Sequence, residues 1–201
     1  MKNALEQVVA DTGGVQWGLM EFPSPADTDC SVSPSPRLPV DADSGGKVLA
    51  ELDSITPEGN TPMAAAIEAA VAHLSGLVDV NPKYILLATD GVAECDEGKG
   101  STNGSDMEDA IAAIAVAGQA GFAVYVLGAG PDVSALDGLA RAGGTGKHYP
   151  ASSPDLLSGG YAAISRVMRT CTFTPPDPPP DADNVVVYLD KQLVPRDATN
   201  G

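Results

Sequence analysis

The sequence predicts an α/β protein: a doubly wound, mostly parallel sheet with helices on both faces, followed by a short β-rich C-terminal tail. Three observations carry that expectation. Tyr84–Ala88 and Phe122–Leu127 are short, continuous apolar runs that stop at glycine-bearing turns. Apolar runs without polar alternation mark strands buried on both faces, as in a parallel sheet. Segments with helical spacing alternate with these runs, which is the order of a parallel α/β sheet. A proline-dense stretch, Pro175–Pro180, then breaks the alternation before a last pair of short strands.

Each element has a local cause. Met1 to Ala10 reads as an amphipathic helix with Leu5, Val8 and Val9 on one side, halted by Asp11-Thr12-Gly13-Gly14. Val15 to Phe22 reads as a strand, and Pro23 to Pro36 as a polar loop. Arg37 to Val40 is expected to be a short edge strand, because Pro39 cannot donate to a ladder. Gly46 to Ile55 follows as a short helix. Thr61-Pro62 then opens a longer one: Thr is a good N-cap and Pro suits the first helical position. Met63, Ile67, Ala70, Val71 and Leu74 recur at helical spacing behind it.

Beyond the strand at Tyr84, Cys95 to Gly104 is polar and glycine-rich, hence a loop. Ser105-Asp106-Met107-Glu108 is a capping box for a helix that places Met107, Ile111 and Ile114 on one face. Val133 to Ala142 is a helix stopped by Gly143-Gly144. Lys147 to Tyr149 is expected as a last short strand of this region, and Asp155 to Met168 as its last helix. The organisation expected is a domain over residues 1–170, a stiff proline-rich linker over 171–183, and a β-hairpin, or the start of a second β-rich piece, over 184–201.

Composition narrows the function. The chain has 201 residues, 43% apolar but only 4% aromatic, so its core must be built from Ala, Val, Leu and Ile. Its net charge of −16 disfavours nucleic acid and anionic membrane surfaces as partners. Most of that charge serves solubility. No apolar run is long enough to span a bilayer. Nothing in the sequence speaks to oligomeric state.

In an open parallel sheet, ligands bind at the carboxyl ends of strands. Two segments place oxygen donors there: Gly59-Asn60-Thr61-Pro62, and Leu86-Leu87-Ala88-Thr89-Asp90-Gly91. The Thr61 hydroxyl and the Asp90 carboxylate are hard donors of the kind that suit Mg²⁺, Mn²⁺ or Ca²⁺. Each residue also has a purely structural reading, Thr61 as a helix cap and Asp90 as the start of a turn.

The strand ending in Thr-Asp-Gly, preceded by Gly-x-Thr-Pro, resembles the metal-ion-dependent adhesion site of von Willebrand factor type A (VWA) domains. The run Leu139-Ala140-Arg141-Ala142-Gly143-Gly144 is similar to that family's late Leu-Ala-x-x-Gly-Gly pattern. The resemblance covers roughly residues 1–168. It implies a module that binds a protein or another surface ligand, with Thr61 and Asp90 as metal ligands. The sequence departs from the family in lacking Asp-x-Ser-x-Ser, which there ends the first strand and supplies three of the five ligand positions. The chain begins inside what would be the family's first helix, so Met1 is expected to be internal to a longer protein, or the start to be misassigned. Any Mg²⁺, Mn²⁺ or Ca²⁺ site here is therefore expected to be vestigial, weak or absent.

Cys30, Cys95 and Cys171 make an odd count, which leaves a free thiol or a missing partner. Cys30 and Cys95 both follow strands, so both belong to the carboxyl edge. A Cys30–Cys95 disulfide pinning the loops of the ligand face is expected, with two buried free thiols as the alternative. A disulfide would place the chain outside the cytoplasm, in an extracellular or cell-envelope setting. Catalysis has little support: there is no Gly-x-Ser-x-Gly elbow, and His73 and His148 have no nucleophile beside them in sequence. The expectation is a binding module, not an enzyme. The alternative is a metal-dependent hydrolase of similar architecture working through Asp90.

Overall fold

The structure is a computed structural model. It describes residues 2–11, 14–24, 30–79, 81–91, 93–95, 105–128, 133–151, 187–189 and 192–194. The chain divides into two compact units, Met1–Arg169 and Thr170–Gly201.

The first unit runs α1 (Lys2–Asp11), β1 (Trp17–Leu19), β2 (Leu38–Asp41), α2 (Gly45–Ser54), α3 (Met63–Ser75), β3 (Tyr84–Thr89), α4 (Ser105–Gln119), β4 (Ala123–Gly128), α5 (Val133–Ala142) and β5 (Tyr149–Pro150). The second unit contributes β6 (Val187–Leu189) and β7 (Gln192–Val194), an antiparallel pair. The helix expected over Asp155–Met168, the linker 171–183 and Cys171 lie outside the described residues.

The expectation of one doubly wound, mostly parallel sheet is corrected. The described strands form three separate sheets: β1-β2, β3-β4-β5 and β6-β7. Only β3-β4-β5 is parallel, with Tyr84 to Thr89 aligned one-to-one on Ala123 to Gly128. β1 spends its hydrogen bonds on β2, antiparallel, with a register shift between Trp17 and Leu19. Gly18 sits at that irregularity, where a Cβ would lie 2.9 Å from Val40 Cγ2. An apolar run reports that a strand is buried, not which strand lies beside it. The single sheet expected from the runs therefore failed at the pairing of β1, while the edge strand expected over Arg37–Val40 is present as β2 and is antiparallel. β1 is also shorter than the Val15–Phe22 run suggested, because an irregular register ends ladder pairing early.

The core sits on one face of the parallel sheet. Ile85 and Leu87 of β3 and Val124 and Val126 of β4 meet Met63, Ala64, Ile67 and Leu74 of α3. Ala110, Ala113, Ile114 and Ala117 of α4, with Leu136, Leu139 and Ala140 of α5, complete the same cluster. Small alanines let α3 and α4 approach closely while Met63 and Ile114, both 1% exposed or less, fill the space between. Burying each such large side chain contributes roughly 1.5–3 kcal/mol. On the opposite face, Leu5 of α1 packs with Leu86, Ala88, Leu127, Tyr149 and Ala151. Tyr84, Tyr125 and Tyr149 run diagonally across that face, with ring centroids 6.0 and 6.4 Å apart. Burial of Tyr125 and Tyr149 raises their phenol pKa values above the usual range.

A smaller cluster holds the first corner. Val9 of α1 with Val48 and Leu52 of α2 is buried, against half-buried Trp17, Leu19 and Leu38. Ser44, 1% exposed, does not cap α2 with its side chain; its hydroxyl accepts the Trp17 backbone N–H at 2.7 Å. Lys2 Nζ donates to the carbonyls of Asp53 and Ile55 at 3.0 and 2.9 Å. These are carbonyls that the end of α2 leaves without helical partners.

Candidate functional site

The carboxyl end of β3 is shaped by its own side chains. Thr89, 5% exposed, turns the chain: its hydroxyl donates to the Gly91 carbonyl at 3.0 Å and accepts the Gly91 N–H at 3.3 Å. The chain bends at Asp90-Gly91 as expected, and the bend is braced by the Thr89 hydroxyl. Asp90 is exposed. Among the described residues its carboxylate makes no hydrogen bond or ion pair.

Thr61 also departs from its expected structural role. The residue at the N-cap of α3 is Pro62, and no side chain caps the helix. The Thr61 carbonyl receives two backbone donors, Met63 N–H at 2.8 Å and Glu94 N–H at 3.2 Å. Its hydroxyl makes no hydrogen bond among the described residues. The bond from Glu94 brings the segment after Asp90 onto the loop that carries Thr61. Thr61 and Asp90 therefore belong to adjoining loops, but they share no direct hydrogen bond.

Cys30 and Cys95 are bonded to each other across 65 residues of sequence, with Cα atoms 5.6 Å apart. Cys30 is exposed and Cys95 is 6% exposed. The Asn60 side-chain amide lies 3.9 Å from Cys30 Sγ. The bridge and the Glu94–Thr61 bond thus fasten three segments together: the one after β1, the one before α3 and the one after β3.

Among the described residues no three His, Cys, Asp or Glu side chains form a group able to hold a metal. Thr61 and Asp90 supply two hard oxygens. That donor set fits a hard divalent cation that keeps most of its water, as Mg²⁺ commonly does. It does not fit a cation needing a full protein cage.

Two arrangements had no sequence signal. Asp137 of α5 accepts from the backbone N–H of His148 at 3.1 Å and lies 2.7 Å from its Nδ1. Hydrogen bonding from the His148 ring holds the Asp137 carboxyl below the usual carboxylate range. The pair staples α5 to the chain entering β5. Their separation of 11 residues matches no motif. Arg37, just before β2, bridges Glu21, just after β1, and Glu51 of α2 at 2.6 and 2.7 Å. Hydrogen bonds from the guanidinium to Glu51 and Glu21 raise the already high Arg37 pKa.

The fold has known counterparts. The chain is similar to a pilus adhesin, SpaC, from Lactobacillus rhamnosus GG, at 15% identity and a TM-score of 0.59, over 83% of this chain and 28% of that one. It is also similar to the minor pilin PilB from Streptococcus sanguinis, at 16% identity and a TM-score of 0.57, over 83% of this chain and 52% of that one. Proximal thread matrix protein 1 from the mussel byssus matches at 16% identity and a TM-score of 0.50, over 83% and 39%. At these identities the likeness is one of fold. This chain spans about half or less of each of these proteins. No protein-family model and no curated protein matches the chain. Among the described residues no helix is long and apolar enough to cross a membrane.

Proposed function

We propose that this chain is a surface ligand-binding module of the von Willebrand factor type A kind, working by adhesion rather than catalysis. Its ligand face is the carboxyl end of β3. The observation that carries the reading is the pair of oxygens there. Among the described residues neither the Thr61 hydroxyl nor the Asp90 carboxylate makes a hydrogen bond, although each has a ready structural use. The fold likeness to a protein described as a pilus adhesin and to another described as a minor pilin supports a role at a cell surface. The Cys30–Cys95 disulfide supports an extracytoplasmic setting, where such bonds persist.

In this reading Asp90 and the Thr61 hydroxyl would hold a hydrated divalent cation, Mg²⁺ or Mn²⁺, which would supply a positive centre for an acidic group of the ligand. The chain's own part is to hold both donors in place. Thr89 fixes the turn that presents Asp90, and the Thr61 carbonyl anchors the segment at Glu94. Titration calorimetry with Mn²⁺ tests the reading. Weak saturable binding, lost in Asp90→Ala and reduced in Thr61→Ala, is expected. Equal heats in the chain and in both variants would sink it.

A further inference from the structure

We infer that the Cys30–Cys95 disulfide is a redox-operated latch on the Thr61 loop, opened by a dithiol reductant while the packed block beneath it stays folded. Its consequence for ligand binding rests on the function proposed above; the latch itself rests on geometry alone.

The bridge sits where opening it has a local effect. Cys95 directly follows Glu94, whose N–H is bound to the Thr61 carbonyl. Cys30 lies beside the Asn60 amide. Both halves of the disulfide therefore meet the chain at residues 60–61, where, among the described residues, the backbone hydrogen bond from Glu94 also holds Thr61. The large apolar cluster includes Ala93 but neither cysteine. The packing of α3, α4 and α5 on β3 and β4 is made by side chains other than the two cysteines.

The two ends of the bridge differ in exposure. Thiol–disulfide exchange needs a thiolate to reach a sulfur. Cys30 is exposed and Cys95 is buried. A dithiol's thiolate attacks Cys30 Sγ, the S–S bond breaks, and Cys95 leaves as a thiolate that takes up a proton. The reductant's second thiolate then attacks the mixed disulfide and releases Cys30, also protonated. The protein disulfide gains two electrons and two protons; the dithiol loses them and becomes a cyclic disulfide.

Hydrogen–deuterium exchange of the intact chain, before and after dithiothreitol, reads the latch without any ligand. The Glu94 and Met63 amides are expected to exchange at least about tenfold faster after reduction, while the amides of β4 keep their protection. Unchanged exchange at Glu94 and Met63 would overturn the latch. So would loss of protection throughout β4, or alkylation of both thiols before reductant is added. A Cys30→Ser/Cys95→Ser variant should reproduce the reduced pattern; if that variant does not fold, the bridge is a folding requirement and the latch is likewise overturned. Mn²⁺ titration of the oxidised and reduced chain separates the two ideas. No binding in either form defeats the proposed function and leaves the exchange result standing. Binding only in the oxidised form joins them.

Discussion

The corner formed by α1, β1, β2 and α2 and the block formed by β3, β4, β5 with α3, α4 and α5 are held by different means. The block is built on a long apolar cluster and a six-residue parallel register. Among the described residues the corner buries four apolar side chains, Val8, Val9, Val48 and Leu52, and it leans on polar ties through Arg37, Lys2 and Ser44. Apolar burial scales with area and is not screened by salt, whereas exposed ion pairs are weak and screened. The candidate ligand face lies at the edge of the block, on the loop entering α3 and the turn leaving β3. In the proposed reading the ligand face is thus set at the edge of the region with the larger apolar cluster.

The largest effects should fall in the block. Ile114 is fully buried among α3, α4 and β4, and Ile114→Ala should cost about 4 kcal/mol in urea unfolding. Leu52→Ala in the corner should cost about 2 kcal/mol, because fewer buried neighbours surround the cavity. Equal losses would erase the contrast between the regions.

Gly143 gives a sharper test of how α5 meets β4. A Cβ there would lie 2.6 Å from the Val124 carbonyl and 2.8 Å from Val124 Cβ. The Gly143 carbonyl meanwhile accepts the Val124 N–H at 3.0 Å. Gly143→Ala should cost about 2 kcal/mol and speed amide exchange at Val124, since backbone must move to admit the methyl. A variant as stable as the parent would mean this junction is looser than its distances state.

Arg37→Ala should cost about 1 kcal/mol or less, with the loss shrinking as salt is added, because its ion pairs are part-exposed. A salt-independent loss would show that Arg37 acts by packing.

The smallest effect concerns pH. The Asp137 carboxyl has a depressed pKa in the folded chain, caused first by the His148 side chain. Its contribution to stability is therefore complete above the unfolded carboxylate range, near pH 4, and is lost as pH falls through the lower folded value. Asp137→Asn should lower stability slightly at neutral pH, leave it little changed in strong acid, and so flatten the acid limb of a stability–pH curve. An unaltered acid limb would remove the His148–Asp137 contact from the account.

Sequence and structure agree where local chemistry decides. Val133 to Ala142 is a helix with the limits its glycines suggested. The apolar run at Tyr84 is a strand, extended one residue to Thr89. Pairing across space was less legible. The runs could not reveal that β1 would join β2 alone, because a strand's edge is chosen by register and by its neighbours. Thr61 looked like a cap because Thr-Pro is a favoured start, yet the helix began one residue later, at Met63 after Pro62. The Thr89 turn was hidden because Asp90-Gly91 already explained the reversal. The Glu94 bond to Thr61 involves backbone atoms, which carry no side-chain signature.

The claim that Thr61 and Asp90 form one cation-centred ligand face is tested most directly by paramagnetic broadening of backbone amide NMR signals with Mn²⁺, on the oxidised chain and on Asp90→Ala. The account predicts broadening concentrated at Thr61 and at Asp90 to Glu94, and its disappearance in the variant. Broadening spread over the acidic surface, unaltered by Asp90→Ala, would contradict it.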